Sequence, residues 1–562
     1  MVKGILRILH KDFAGLHEAA LLLAISMALA QFLALARDRL LAGTFGAGTN
    51  LDIYYSAFRL PDLIYATIAS FVSVAVLIPF LIERLEKGEE ASARNFLSAV
   101  FSLFSLVMIV VSALAFIFIP WITPWLAPGF SPEAQTQMIL LSRILLLSPI
   151  LLGLSNMLGS VTQAYRRFFA YSLSPVLYNL GIIVGIVLFV PIWGLAGLAW
   201  GVILGAVLHL VIQLPTLWHI GFWPRLTIKQ IFANSKLIWK MVASSWPRTL
   251  TLSTNQFVIM ALVALASYFG KGAIAVFNFS YNLQTVPLSI VGISYSVAAF
   301  PTLSKYFSRG HIDKFVDQIA SASRHIIFWS MPATVMFIVL RAQVVRVILG
   351  TGHFDWMATR LTAACLALFA ISVLAQSLIL LLIRGFYASG QTVKPLVANV
   401  VSSLAMVGLA VLFKNWWVSS SAFSSFWENL LRVGHLPGTI ILVLPLAFSI
   451  GTLFNCLILV ALFARGYDWP FRSLFASIAK SLISAVIGGF FAYYLLEIFG
   501  NLLPLKTLVG IFLQGLLAGL GGLALNLACL WLLRSEELAE LVKATKRKFW
   551  RGEALVPEQA EL

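Results

Sequence analysis

Acidic side chains are scarce in this chain. It holds 22 Asp and Glu against 39 Lys and Arg in 562 residues, and charged residues of all kinds make up 11%. The seventh and eleventh apolar stretches contain no carboxylate, so a cation site there has no ligands to build on. Cysteine is rarer still. Cys365, Cys456 and Cys529 lie far apart in apolar runs, without the spacing of a metal or redox site. HExxH, Walker A, GxSxG and clustered Cys/His patterns are missing, and the deep polar positions are Arg, Asn and Gln rather than acid–base pairs. That excludes the common enzyme classes and predicts neither a cofactor nor a metal. His209, alone in an apolar run, reads as a core histidine. The opening MVKGILRILHKDFAGLHEAALLL lacks a small-residue cleavage site, so it reads as an uncleaved start on the cytoplasmic surface. Period-2 alternation is absent, which rules out a barrel.

Long apolar runs are what the chain has instead. Sixty per cent of its residues are hydrophobic. Runs of about 20 residues, the length that crosses roughly 30 Å of hydrocarbon as a helix, recur throughout. The fold class is therefore an all-α polytopic membrane protein with about 14 spans, the first two near 16–42 and 51–82 and the last two near 473–498 and 505–533. The loops are short, with no inserted soluble domain. The net charge of +17 invites a nucleic-acid reading, but Lys and Arg crowd beside one alternating set of helix ends. That is the positive-inside bias; it places both termini in the cytoplasm and makes nucleic acid no partner. The basic tail Lys543, Lys546, Arg547, Lys548 and Arg551 is either a contact to anionic lipid or a solvated end.

The chain repeats itself. FGAGTNLDIYYSAF from Phe45 matches FGKGAIAVFNFSYN from Phe269, and Pro79 falls against Pro301. A second pair sets Pro175 against Pro395 and Asn179 against Asn399. An even number of helices separates the copies, so the repeats are parallel, as in transporters whose halves rock about a central site. The expected organisation is a first lobe at 1–218, a cytoplasmic linker at 219–235 and a second lobe at 236–464. Helices at 465–534 then line a groove for a lipid tail, and a basic cytoplasmic tail follows at 535–562. Within the second lobe the insert 414–437 carries Trp416, Trp417, Phe423, Phe426, Trp427, Leu430 and Leu431. It reads as a short helix in the headgroup layer, with a partner-docking loop as the alternative.

The stretch Gln31–Phe80 joins two apolar helices through Gly43, Gly46 and Gly48, yet carries Arg37, Asp38, Arg39, Asp52, Arg59 and Asp62. Each such charge costs about 2.5–3.5 kcal/mol at mid-bilayer on insertion scales, so these side chains face a wet interior or one another. For Arg37, Asp38 and Arg39, snorkelling at a helix end is an equal alternative.

With those residues in view, the chain resembles the MurJ/MviN family, the lipid II flippases of bacterial peptidoglycan synthesis, within the multidrug/oligosaccharidyl-lipid/polysaccharide exporter superfamily. The likeness rests on Ala36-Arg37-Asp38, Phe45-Gly46-Ala47-Gly48, Asp52 and Ala57-Phe58-Arg59-Leu60-Pro61. It continues in Pro79, Ala127-Pro128-Gly129-Phe130, Gln213-Leu214-Pro215, Pro287, Pro301 and Gly385-Phe386-Tyr387. The resemblance implies a monomer of the bacterial cytoplasmic membrane with 14 helices, V-shaped lobes and a cationic central cavity. That cavity would hold the head of a polyprenyl-diphosphate-linked sugar, most simply lipid II, during alternating access. A diphosphate cannot cross hydrocarbon unaided, and Arg forks pair with its oxygens bidentately.

The candidate substrate-binding residues are Gln31, Arg37, Asp38, Asp52, Arg59, Tyr65, Arg248, Asn255, Gln256 and Asn282. Several depart from the family pattern. Gln31, Tyr65 and Asn282 stand where the family places basic residues, Ser70-Phe71 replaces an acidic–glycine pair, and Arg248 is a charge it does not usually carry. Asn255 and Gln256 either bind sugar hydroxyls or pack helix to helix. The lost arginines keep two alternatives open: an exporter of another oligosaccharide lipid, and a non-transporting scaffold that recruits cell-wall enzymes.

Overall fold

The computed structural model describes residues 16–71, 87–88, 90–165, 167–221, 223, 225–504 and 507–550. Among them there is no β-strand. The first main helices are α1 (Leu16–Phe45), α2 (Thr49–Ala57), α3 (Arg59–Phe71), α4 (Glu90–Leu126) and α5 (Pro132–Leu145). They are followed by α6 (Leu147–Ala164), α7 (Phe168–Val184), α8 (Leu195–Val211), α9 (Ser235–Ala266) and α10 (Ala273–Pro287). The later ones are α11 (Ser294–Ser308), α12 (Ile312–Val339), α13 (Arg341–Leu349), α14 (Trp356–Ala370), α15 (Val373–Ala388) and α16 (Val393–Ser419). The last described helices are α17 (Ser421–Leu431), α18 (Val443–Ala464), α19 (Phe471–Leu502), α20 (Leu508–Leu532) and α21 (Glu536–Trp550).

Eleven stretches among the described residues are long and apolar enough to cross a membrane, or 12 if α14 and α15, bent by 43°, count as one. These fall at the third to fourteenth expected positions. The expected span near 51–82 runs into residues outside the described set, and the one near 16–42, covered by α1, is not among those counted, so the full count of 14 is not established. Exposed Trp125, Trp218, Leu404, Phe475 and Phe490 suit a hydrocarbon surround and no other solvent.

By packing, the chain forms two units: Met1–Asn278 with Ile348–Ala358, and Phe279–Val347 with Thr359–Leu562. In the first, Phe96, Val100, Phe104, Met108, Met157, Val161 and Met241 form a core between α4, α6 and α9. Glycines bring α7 and α8 together. A Cβ on Gly181 would lie 2.3 Å from the Gly205 Cα, and one on Gly185 2.3 Å from the Gly201 Cα. This four-residue spacing of small side chains lets apolar helices gain dispersion contacts that larger residues would prevent. In the second unit, Phe315, Ile319, Leu381, Phe386, Leu459 and Phe463 form the core. There α19 and α20 meet through Gly488 and Gly522, and Gly489 seats against Val335 of α12.

Sequence patterning predicts one helix over 51–82, but the described part is broken at Phe58. Pro61 has no N–H to donate to the carbonyl of Ala57, four residues back. The Ser142 hydroxyl donates to that carbonyl instead, at 3.2 Å. The aromatic insert contains α17; Trp417 and Leu431 are buried, whereas Phe426 and Leu430 are exposed. Phe423 is the hub, stacked on Trp416 at 4.4 Å between ring centres and touching Phe413, Trp417 and Trp427.

Candidate functional site

Within the first unit Arg37, Asp38, Arg39, Asp52 and Arg59, on α1–α3, are held by partners. Arg37 Nε and Nη2 donate to one oxygen of Asp38 at 3.0 and 2.8 Å, and Nη1 donates to the Asn179 side-chain oxygen at 3.0 Å. Asn179 is itself tethered, its amide nitrogen donating to Pro175 O at 3.0 Å and Ala30 O at 3.4 Å. The residue thus joins α1 to α7 and fixes the guanidinium plane. Asp38 is 3% exposed and the Arg37 side chain 20%. Neither snorkels. Arg39 donates to the Ile348 carbonyl at 3.3 Å.

Asp52 sits in the first turn of α2 and caps a different helix. Its two oxygens accept from Gly272 N at 2.6 Å and Ala275 N at 2.8 Å, the free amides that open α10. A carboxylate there satisfies orphan donors and meets the positive helix end. The two repeated Phe-Gly turns also meet. Gly46 (φ +63°) and Gly270 (φ +96°) occupy matching places, and Gly272 (φ +83°) is so close to the first turn that a Cβ would lie 2.2 Å from Ala47 O. On the same side His353 N donates to Gly43 O at 3.0 Å, and Gly129 N donates to Ser267 Oγ at 3.0 Å. The matching ends of the two repeats are therefore closed on each other through backbone.

Arg59 opens α3 and is 9% exposed, with Nη2 donating to the Asn278 side-chain oxygen. Tyr65, one and a half turns on, accepts from Asn156 through its hydroxyl, and Thr67 shares a 3.0 Å hydrogen bond with Ser253 of α9. The Arg37, Asp38, Asp52, Arg59 and Tyr65 positions all belong to this unit.

The other candidates are less tied to it. Gln31 is half-buried on α1, next to the Ala30 carbonyl that Asn179 uses. Asn255 is exposed and Gln256 half-buried on α9, and among the described residues neither makes a hydrogen bond. Arg248 falls within α9, but its side chain lies outside those described, as does Pro79 entirely. Asn282 is half-buried and belongs to the second unit, its carbonyl accepting from Thr285. Sequence reasoning missed Asn278 as a guanidinium partner. The signal available was an Asn in an otherwise apolar run, where an unsatisfied amide is costly. His209 is satisfied, its Nδ1 2.7 Å from Ser155 Oγ. Among the described residues no three His, Cys, Asp or Glu side chains converge as a metal ion would require.

A family model described as lipid II flippase MurJ matches residues 41–513. The chain is 26% identical over 421 residues to a protein of Rhizobium tropici named probable lipid II flippase MurJ, covering 71% of this chain and 78% of that one. It superposes with a TM-score of 0.71 on a lipid II flippase MurJ in an inward closed conformation, at 20% identity over 93% of this chain and all of the other. An inward-facing multidrug resistance MATE family transporter of the MOP superfamily gives a TM-score of 0.61 at 16% identity, over 79% of this chain and 99% of that one. The two structural likenesses establish the fold.

Proposed function

The chain belongs to the lipid II flippase MurJ family, and from that premise we propose that it moves lipid II from the inner to the outer leaflet by alternating access. The supporting observation is the cap that Asp52 places on α10, 220 residues away, at 2.6 and 2.8 Å. A closure made of a few hydrogen bonds and glycine-to-backbone contacts can open without dismantling a core. In this reading the ends of the repeats around Gly46 and Gly272 part to release cargo, while Arg37 and Arg59, with Asp38 beside them, hold the diphosphate head on its way. Gln31, Tyr65, Asn255 and Gln256 contribute neutral hydrogen bonds to the sugars, and Arg248 adds a charge. The protein works as a monomer in the bacterial cytoplasmic membrane with both termini inside, and its basic tail rests on anionic lipid.

Labelled lipid II followed across the membrane of cells that depend on this protein tests the reading. The Arg37→Ala variant is expected to lose flipping at unchanged expression; undiminished flipping would remove Arg37 from the mechanism.

A second reading is favoured by Tyr65, which stands where the family carries a basic residue and bonds Asn156 rather than facing an anion. In it the protein is a non-transporting scaffold for cell-wall enzymes. Native mass spectrometry with lipid II separates the two, since a scaffold shows no preference for the headgroup.

A further inference from the structure

At one end of the second unit three arginines meet without an acid. Arg341 begins α13, just past the end of α12. Seventeen residues earlier on α12 lies Arg324, beside α21, and at 1.5 Å per residue the two are about 25 Å apart. Arg341 therefore lies at the end opposite the C-terminal helix. Its Nη1 donates to Ile338 O at 2.9 Å and its Nη2 to Leu431 O at 3.5 Å. Arg432 terminates α17 in the left-handed region (φ +59°), its carbonyl accepts from Arg360, and its guanidinium lies 5.8 Å from the ring centre of Tyr493 on α19.

Three features suit an external anion. Each guanidinium offers five N–H donors, yet among the described residues those of Arg341 and Arg360 bond only carbonyls, and that of Arg432 makes only its ring contact. Among the described residues no carboxylate forms an ion pair with any of the three. Glu428, the acid of α17, is taken by the Thr439 hydroxyl at 2.6 Å, and Glu497 is exposed one turn beyond Tyr493. The charges are felt: burial first, then the Arg432 charge, push the Arg341 guanidinium below its ordinary value. The backbone is strained as well. Arg432 and His435 are two of only three non-glycine residues with positive φ among those described, and such conformations persist where the surroundings over-determine them, often at ligand sites.

The neighbouring aromatic residues say where the anion comes from. Trp416, Phe426 and Leu430 are about half exposed or more, and a Trp-rich surface at the end of a membrane span belongs at headgroup level. We propose that Arg341, Arg360 and Arg432 bind the phosphate of a lipid headgroup in the leaflet opposite the C-terminal helix. Planar guanidinium forks pair bidentately with phosphate oxygens. The phosphate comes either from a polyprenyl diphosphate leaving the protein or from a resident anionic phospholipid, and the site does not require the transport reading.

The test is native mass spectrometry of the full chain titrated separately with undecaprenyl diphosphate and with phosphatidylglycerol, comparing the native protein with an Arg341→Gln/Arg432→Gln variant. The variant should bind about tenfold more weakly, each lost guanidinium accounting for about threefold. Weakening towards the diphosphate alone identifies an exit site for cargo, and weakening towards both identifies a general headgroup site. Unchanged binding of both lipids overturns the proposal. Arg341 is partly buried, so Arg432→Gln alone, at an exposed position, serves if the double variant does not fold. It should weaken binding about threefold at an unchanged melting temperature, with Arg432→Lys in between because it keeps the charge and loses the fork, and an Arg432→Gln variant that binds as the native chain does also overturns the proposal.

Discussion

Arg37 engages three of its nitrogens at once, two on an Asp38 oxygen and one on Asn179. Only a planar fork can do this, so Lys at that position keeps the charge and loses the geometry. Arg37→Ala takes the main partner from a carboxylate that is 3% exposed. Removing one member of a buried pair costs about 3–5 kcal/mol, and partial exposure of Arg37 brings the expected loss to ~2 kcal/mol, read as a lower melting temperature in detergent. The Arg37→Ala/Asp38→Ala double variant should regain most of that stability and none of the transport. Recovery of both would make the pair purely structural. Gly272 is a second single-residue test. It combines φ +83° with a backbone oxygen 2.2 Å from where a Cβ would stand, so Gly272→Ala should disrupt the closed end. Flipping should fall while helical circular dichroism is preserved.

At the scale of elements, the break at Phe58 lets α2 and α3 aim their charges differently, Asp52 towards α10 and Arg59 towards Asn278. Asp52→Asn keeps one acceptor for the two amides and removes the charge at the helix end. It should destabilise the α10 start by ~1 kcal/mol, visible as faster amide exchange at residues 272–276. The C-terminal helix is a separate case. Glu537 accepts from Ser477 Oγ at 2.8 Å and Ser535 Oγ at 2.6 Å, with Arg324 at 3.9 Å and a second pair, His325 and Glu540, at 3.0 Å. Burial raises the Glu537 value, but these hydrogen bonds and Arg324 outweigh it and hold the carboxyl below the usual glutamate range. A lowered value in the docked state means that the anion stabilises docking. That contribution is complete above the ordinary glutamate value and is lost as pH falls from there through the lowered one. Hydrogen exchange at 536–543 should therefore accelerate across that acidic interval, and Glu537→Gln should show fast exchange at neutral pH as well.

At the scale of the whole molecule, transport by the proposed route requires the closed end to open. Gly43 lies within α1, and a Cβ built there would be 3.8 Å from the Thr351 Cβ, the mean separation across a disulfide. A Gly43→Cys/Thr351→Cys variant should oxidise readily, lose flipping, and recover it on reduction. Cys365 and Cys456 are buried and do not compete. Full activity of the oxidised form would mean that this end does not move.

Much of this was legible in the sequence, because the bilayer imposes strong rules on a chain. About 20 apolar residues must form a helix, since hydrocarbon offers no other partner for the backbone. The apolar runs thus predicted the all-helical class, and 12 expected span positions carry such helices once the bent α14–α15 pair is joined. The Phe45 and Phe269 matches predicted equivalent turns, and Gly46 and Gly270 share positive φ. The cost of intramembrane charge also marked Asp52 and Arg59 as inward-facing, and for Arg37 and Asp38 it left snorkelling equally open. Their partners were a matter of tertiary structure. Nothing local pairs Arg59 with Asn278 or Asp52 with the amide of Gly272, residues some 220 positions apart. The convergence of Arg341, Arg360 and Arg432 was equally invisible, because it depends on three helix ends reaching the same level. The sequence alone determined which segments enter the membrane and which residues must hide from lipid, since transfer free energy is a property of each segment. Which hidden groups satisfy one another was decided only when the helices packed, because a hydrogen bond depends on distance and direction between atoms that chain order does not bring together.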